Sequence, residues 1–217
     1  MEKRAVFRAV RLKDPLQNRR RFPQAFYDLY GHVQNLIEIP DTVTLSAEII
    51  DGTVGHSMSV AVLGYALADR LGLPEDRKKA IMIAARLQDL GKRAIWHHIL
   101  NRRGGISDGE RKELQGHVAE SISTARSLGY DQPDVLEIIG NHHELMNGEG
   151  YPKGVKGEEI SLEARISGVA DVYCALTSWR SFREHWDSHV ALSELKTGAQ
   201  EGMYDARVVD TLCELIA

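Results

Sequence analysis

The chain has only two cysteines, Cys174 and Cys213, in 217 residues. Two are too few for a disulfide framework, so a reducing compartment, the cytoplasm, is the expected location. No apolar run approaches the ~20 residues that a membrane-spanning helix needs. No apolar stretch follows the charged residues at the start, so a secretory signal is not expected. Internal repeats and low-complexity tracts are absent. So is the alternation of apolar and polar residues that marks a half-buried strand. What remains is ordinary for a soluble globular domain: 43% hydrophobic and 27% charged residues, in a length that buries one substantial core. The net charge of -4 is uneven, because residues 1–21 carry eight Lys or Arg against Glu2 and Asp14. The acidic remainder argues against a nucleic-acid surface. The basic arm has no accompanying aromatic or glycine pattern and reads as a solvated lead-in.

The periodicity is helical nearly throughout, and the expected fold class is all-α. A first helix is expected over Phe26–Ile37. A second runs from about His56 to Leu71 and stops at Gly72, before Pro74. A third covers Arg77–Leu90, turns Ile81, Ala84, Leu87 and Leu90 inward, and stops at Gly91. Ser107-Asp108-Gly109-Glu110 is a capping box. It opens a long helix with Leu114, Ser121, Ile122, Ala125 and Leu128 on one face, ended by Gly129. Pro133 suits the first turn of the next helix, which runs to His142. Ser161 caps a helix through Leu176, and Asp205 caps the last one, with Val208, Val209, Leu212 and Ile216 inward. Between them, Gly148, Gly150, Gly154 and Gly157 mark a loop. Residues 1–40 are expected to be an appendage to one principal domain, 41–217.

Several polar residues fall on or beside the buried faces of different helices. His117 lies one turn from Leu114 and Ser121. His142 lies one turn beyond Ile138 and Ile139, with His143 beside it where the helix ends. Asp171 shares a strip with Ala164, Ser167, Gly168, Cys174 and Ala175, and Asp89 adjoins Leu87 and Leu90. Any one of these alone is most simply a hydrogen-bonded core residue. As a set they favour a shared metal cluster over many separately satisfied groups, since a buried carboxylate is costly without a cation or a donor.

His56, Gln88-Asp89-Leu90-Gly91-Lys92, His117, His142-His143-Glu144, Asn147-Gly148-Glu149-Gly150-Tyr151-Pro152 and Val169-Ala170-Asp171-Val172-Tyr173 together resemble the HD-GYP branch of the HD-domain metal-dependent phosphohydrolases, over about residues 45–217. The resemblance implies a helical bundle, two or three metal ions (often iron or manganese) and hydrolysis of cyclic di-GMP or a related cyclic dinucleotide. It assigns His56, Asp89 and Asp171 to a first metal, His117, His142 and His143 to a second, and a bridging role to Asp89. Lys92 is implied to lie against the substrate phosphate and Tyr151 to form a wall. Arg180 and Arg183 resemble basic residues that contact phosphate and guanine. A trinuclear subtype has a glutamate four residues before the first histidine; Gly52 stands there, which implies two metals.

The pattern also departs from the family. Gln88 stands where a histidine ligand is usual, and a neutral amide is a poor donor to a late transition metal. Unequal sites are therefore expected, the second well held and the first weak. Cys174 and Asn147 replace aspartates, and Trp179 replaces a third. His32, His97, His98, His185 and His189 match no ligand position. Two functions stay open: a dinuclear phosphodiesterase, or a non-catalytic module of the same fold that senses a nucleotide or meets a signalling partner. A nucleoside-phosphate hydrolase of the wider superfamily shares most of the ligands, but the Gly-Tyr-Pro loop counts against it.

Overall fold

The structure, a computed structural model, describes residues 36, 39, 43, 44, 47, 48, 55–95, 99, 105–178 and 186–216. The helix expected over Phe26–Ile37 lies outside them except for Leu36, as do Gly52, Trp179, Arg180, Arg183, His32, His97, His98 and His185. The elements are α1 (His56–Arg70), α2 (Glu75–Leu87), a 3-10 segment (Leu90–Ala94), α3 (Asp108–Gln115), α4 (His117–Ser127), α5 (Pro133–Asn141), a second 3-10 segment (Gly157–Glu159), α6 (Leu162–Thr177), α7 (Ser188–Gln200) and α8 (Ala206–Ile216). No strand occurs among the described residues.

The helices α1 and α2 form a tight antiparallel pair, joined through Gly72, whose φ of 77 suits a residue without Cβ. The helix α6 crosses α1, α2 and α5, and α8 packs on α7 and α1. Leu63, Leu67, Ile81, Ile138, Tyr173 and Leu212 are wholly buried where these helices meet. Each such side chain stabilises the fold by about 1.5–3 kcal/mol relative to exposure. The expected inward residues of α5 (Val135, Ile138, Ile139) are all buried, as are Val208, Val209 and Leu212 of α8, while Ile216 at its end is only partly buried against the core. Ser107 and Glu110 form the reciprocal capping box, and the Ser161 side chain accepts from the Ala164 amide.

Three expectations need correcting. The α2 helix begins at Glu75 and ends at Leu87, so Gly91 is no terminator; it lies inside the 3-10 segment. Gln88 caps α2 with helical φ and ψ and its amide still donates to the Ala84 carbonyl, whereas Asp89 leaves the helical path at φ -105, ψ 4. The long helix opened by Ser107 is two helices, α3 and α4, that change at Gly116, where the backbone stays helical but tightens. Leu128, expected to face inward, is 44% exposed. The helix α7 carries no strong apolar stripe, buries only Ala191, Leu195 and Gly198, and went unread in the sequence.

Candidate metal centre

Each ligand-type residue sits at a helix end or on a buried strip, held there by bonds the sequence only partly discloses. His56 opens α1. The Glu48 carboxylate fixes that end: Oε2 accepts from the Gly55 amide at 2.8 Å and Oε1 from the Ser57 amide at 3.0 Å. The Ser57 hydroxyl also donates to Glu48 Oε1 at 2.5 Å and accepts from Arg86 Nη1 at 3.0 Å. His117 opens α4. His142 caps α5, and the chain turns at His143 into the glycine loop.

Two glycines set the distance between ligand-bearing backbones. A Cβ on Gly91 would lie 2.1 Å from the His117 carbonyl oxygen, and one on Gly168 would lie 2.8 Å from that of His142. Those contacts are backbone on backbone, so any side chain at either position drives the segments apart. The small-residue strip of α6 is thus what admits the His142–His143 turn. The Gly91 amide also donates to Ser121 Oγ at 2.8 Å, which ties the Asp89 segment to α4.

The expected ligands come together in two overlapping groups. Asp89, His117, His142 and His143 each offer a ligand atom within 4.8 Å of the others, and so do His56, Asp89 and Asp171. Asp89 belongs to both. Cys174, buried in the core, belongs to neither, and His189 is exposed and pairs with Asp187.

Hydrogen bonding prepares the second group for a cation. His117 Nδ1 donates to the Leu114 carbonyl at 2.6 Å, and His142 Nδ1 donates to the Ile139 carbonyl at 2.8 Å. A carbonyl only accepts, so the proton is on Nδ1 and, in the neutral ring, the Nε2 lone pair points inward. Both Nε2 atoms, together with Asp89 Oδ1, are buried without a hydrogen-bond partner. Leaving such an atom unsatisfied costs about 1–3 kcal/mol, and one divalent cation satisfies all three. Burial holds His117 down to about 4 and His143 well below the usual imidazole range, so both rings are neutral at neutral pH. The Tyr151 ring closes this side, 4.6 Å from the His143 ring centroid.

The first group is different. His56 Nε2 donates to Asp171 Oδ1 at 2.9 Å, and Gln88 Nε2 donates to the same oxygen at 3.0 Å. Gln88 Oε1 accepts from Ser167 Oγ at 3.0 Å. Asp171 is held below the ordinary carboxylate range; burial alone would raise it, but the His56 hydrogen bond and charge prevail. Asp89 is also held well below that range. Burial opposes this too, and Lys92, then His117, His142 and His56, outweigh it.

The loop is bound back onto the histidines. The Tyr151 amide donates to the His143 carbonyl at 3.1 Å, and the Lys153 amide to Glu144 Oε1 at 2.7 Å. Asn147 Oδ1 accepts from the Glu149 amide at 3.0 Å, so the residue that replaces an aspartate serves as a turn former. A cavity of about 480 Å³ adjoins His142, His143 and Tyr151, with Met146, Met203 and Tyr204 also on its wall. Glu48 and Ser167 were not singled out as site-forming in the sequence. Ser167 carried a signal, a hydroxyl on a buried strip four residues before Asp171. Glu48 carried none, since nothing local links it to α1.

A model of the HD domain matches residues 46–208. The chain belongs to the HD-domain family. Its Gly150-Tyr151-Pro152 loop folds onto the paired histidines, the feature in which the chain resembles the HD-GYP branch. It is 33% identical over 179 residues to 3'3'-cGAMP-specific phosphodiesterase 1 of Vibrio cholerae, covering 81% of this chain and 41% of that one. It is 39% identical over 164 residues to the cyclic di-GMP phosphodiesterase response regulator RpfG of Xanthomonas campestris, covering 74% and 43%. The HD-domain chain thus spans less than half the length of these curated relatives. Solved structures share the fold: the HDG"Y"P protein Bd1817 of Bdellovibrio bacteriovorus at TM-score 0.59, 18% identity and coverage of 87% and 61%, and the cyclic GMP-AMP phosphodiesterase V-cGAP3 of V. cholerae at 0.61, 21%, 81% and 48%. No described helix of the HD-domain chain is long and apolar enough to cross a membrane.

Proposed function

We propose that this HD-domain chain is a metal-dependent phosphodiesterase acting on a cyclic dinucleotide, with two unequal metal sites. The observation that carries the reading is the pair of donor groups sharing Asp89. The relatives named above as acting on 3'3'-cGAMP and cyclic di-GMP supply the substrate class. His117, His142, His143 and Asp89 would hold the tighter ion, and His56, Asp89 and Asp171 the weaker one. Imidazole with carboxylate suits iron or manganese. When bound, the ions supply Lewis acidity, which lowers the pKa of water and neutralises phosphoryl oxygens.

The residues of the chain have separate tasks. The neutral imidazoles donate lone pairs without first losing a proton to solvent. Lys92 Nζ, 2.8 Å from Asp89 Oδ2, places a fixed positive charge beside the phosphate position, where negative charge develops during in-line attack. Burial, with Asp89 and Asp171 adding, raises the Tyr151 phenol, so it stays protonated and serves as a wall and a donor. Arg180 and Arg183 would grip a phosphate or a guanine from the segment that follows α6.

The test is hydrolysis of cyclic di-GMP and 3'3'-cGAMP with manganese or iron(II), for the chain and for Asp89→Ala. Turnover by the first and none by the second supports the reading; equal rates, or none for either with both ions bound, overturns it. A second reading, a nucleotide-sensing module that meets a signalling partner, draws on one observation: the Gln88 amide is hydrogen-bonded at its nitrogen to Asp171 and at its oxygen to Ser167. Binding of a cyclic dinucleotide without hydrolysis, even in Gln88→His, decides for it.

A further inference from the structure

Gln88 is 1% exposed, at the junction where α2 gives way to the Asp89 segment. Its amide is held at both ends. The nitrogen donates to Asp171 Oδ1 at 3.0 Å. The oxygen then faces Ser167, whose hydroxyl donates to it. Turning the amide over, to offer oxygen toward the first donor group, would set that oxygen against Asp171 Oδ1 and lose the bond to Asp171. Gln88 is therefore no ligand in waiting.

The same hydrogen bonds join three helices. His56 from α1 and Gln88 from the end of α2 both donate to Asp171 of α6, and Ser167, one turn earlier on α6, closes the loop. None of these bonds needs an ion. The second group is less satisfied: His117 Nε2 and His142 Nε2 have no protein partner, nor has Oδ1 of the shared Asp89, whereas in the first group His56 leaves only Nδ1 without one and Asp171 and Gln88 are bonded. We infer that Gln88 is a positioning residue that takes over the work of a metal–ligand bond: it holds Asp171 and α6 against α2 in the metal-free chain, so that the first half of the centre is preassembled and the ion content is set by the second half. The inference rests on the proposed metal centre for its second clause only; the strut itself stands on the hydrogen bonds.

Two consequences follow. The metal-free protein draws stability from the Ser167–Gln88–Asp171 chain, and an ion in the first group meets an Asp171 oxygen that already accepts two hydrogen bonds. The experiment combines melting temperatures of the chelator-treated chain with manganese content after equilibrium dialysis, for the wild type, Ser167→Ala, Gln88→Leu, the double variant and Gln88→His. Ser167→Ala removes a single oxygen and keeps the packing, so its folding is not in question.

Ser167→Ala is expected to lower the metal-free melting temperature by several degrees. The double variant should melt no lower than Gln88→Leu alone, because the hydroxyl has nothing to hold once the amide is gone. Gln88→His should lower the metal-free melting temperature, raise bound manganese from near one to near two per chain, and recover more stability on adding metal than the wild type does. An unchanged melting temperature in Ser167→Ala, or strictly additive losses in the double variant, overturns the strut. Two equally tight ions in the wild type overturn its control of ion content. Coupled variants in a chain that binds no ion leave the strut standing and remove the metal-dependent function instead.

Discussion

Lys92 Nζ lies 2.8 Å from Asp89 Oδ2, while the other oxygen of the same carboxylate lies 3.5 Å from His117 Nε2. Asp89 is thus shared between a protein cation on one side and the imidazole cluster on the other. Both partners of the Lys92–Asp89 pair are nearly buried, with side-chain exposures of 13% and 14%, so the charges interact with little solvent screening. The two residues should separate cleanly by mutation. Lys92→Met keeps the apolar stem and is expected to lower kcat on a cyclic dinucleotide by about 10²–10³-fold with metal content preserved. Asp89→Ala should abolish turnover and release metal from both groups. Parallel metal analysis and steady-state kinetics check this; a Lys92→Met variant that loses metal as Asp89→Ala does would show that the lysine shapes the site and does not act on substrate.

His117 makes the metal-free protein acid-sensitive. Burial lowers this imidazole to about 4 in the folded state, against an ordinary 6.5. Below pH 6.5 the unfolded chain takes up a proton that the folded chain refuses, so stability falls as pH drops from about 6.5 toward 4. Below that both states are protonated, and this group contributes no further loss. The full effect is about 3 kcal/mol. Urea unfolding of chelator-treated protein between pH 7 and 4 should show the decline, and His117→Gln should make it shallower, leaving the share of His143, whose imidazole burial also lowers.

Gly91 tolerates no side chain. The Cβ of Gly91→Ala would lie 2.1 Å from a backbone oxygen of His117, and relief requires moving the Asp89 segment away from α4. A loss of about 3 kcal/mol or more is expected, with weakened metal binding. Gly109, inside α3, has nothing within 4 Å of its added Cβ. Gly109→Ala should stabilise α3 by up to about 1 kcal/mol. Denaturant melts of the two variants give opposite signs if the close approach at Gly91 is as described, and the same sign if it is not.

The legible parts of the sequence were those with a local cause. Caps at Ser107 and Ser161, Pro133 in a first turn, and the inward stripes of α5 and α8 follow from neighbours a few residues away. The residues that converge were legible in part: His117, His142, Asp89 and Asp171 stood on or beside apolar faces where a polar group needs a partner, whereas His56 was read only from the family resemblance. The end of α2 was misplaced because Leu90 continued the helical spacing; the segment after Leu87 instead brings Gly91 against the His117 backbone, a tertiary contact. The division between α3 and α4 was missed because Gly116 keeps helical φ and ψ. Gln88 was read by what it lacks as a ligand. Its hydrogen bonds reach across 83 residues to Asp171 and 79 to Ser167, which no local pattern could disclose.

The central claim is that His117, His142, His143 and Asp89 of this chain hold an ion. A crystal grown with manganese, with anomalous scattering recorded above and below the manganese edge, tests it most directly. The account predicts a strong peak within bonding distance of His117 Nε2, His142 Nε2 and an Asp89 oxygen, and a weaker peak or none between His56 and Asp171. No peak among the three histidines, or a stronger one beside Gln88, would contradict it.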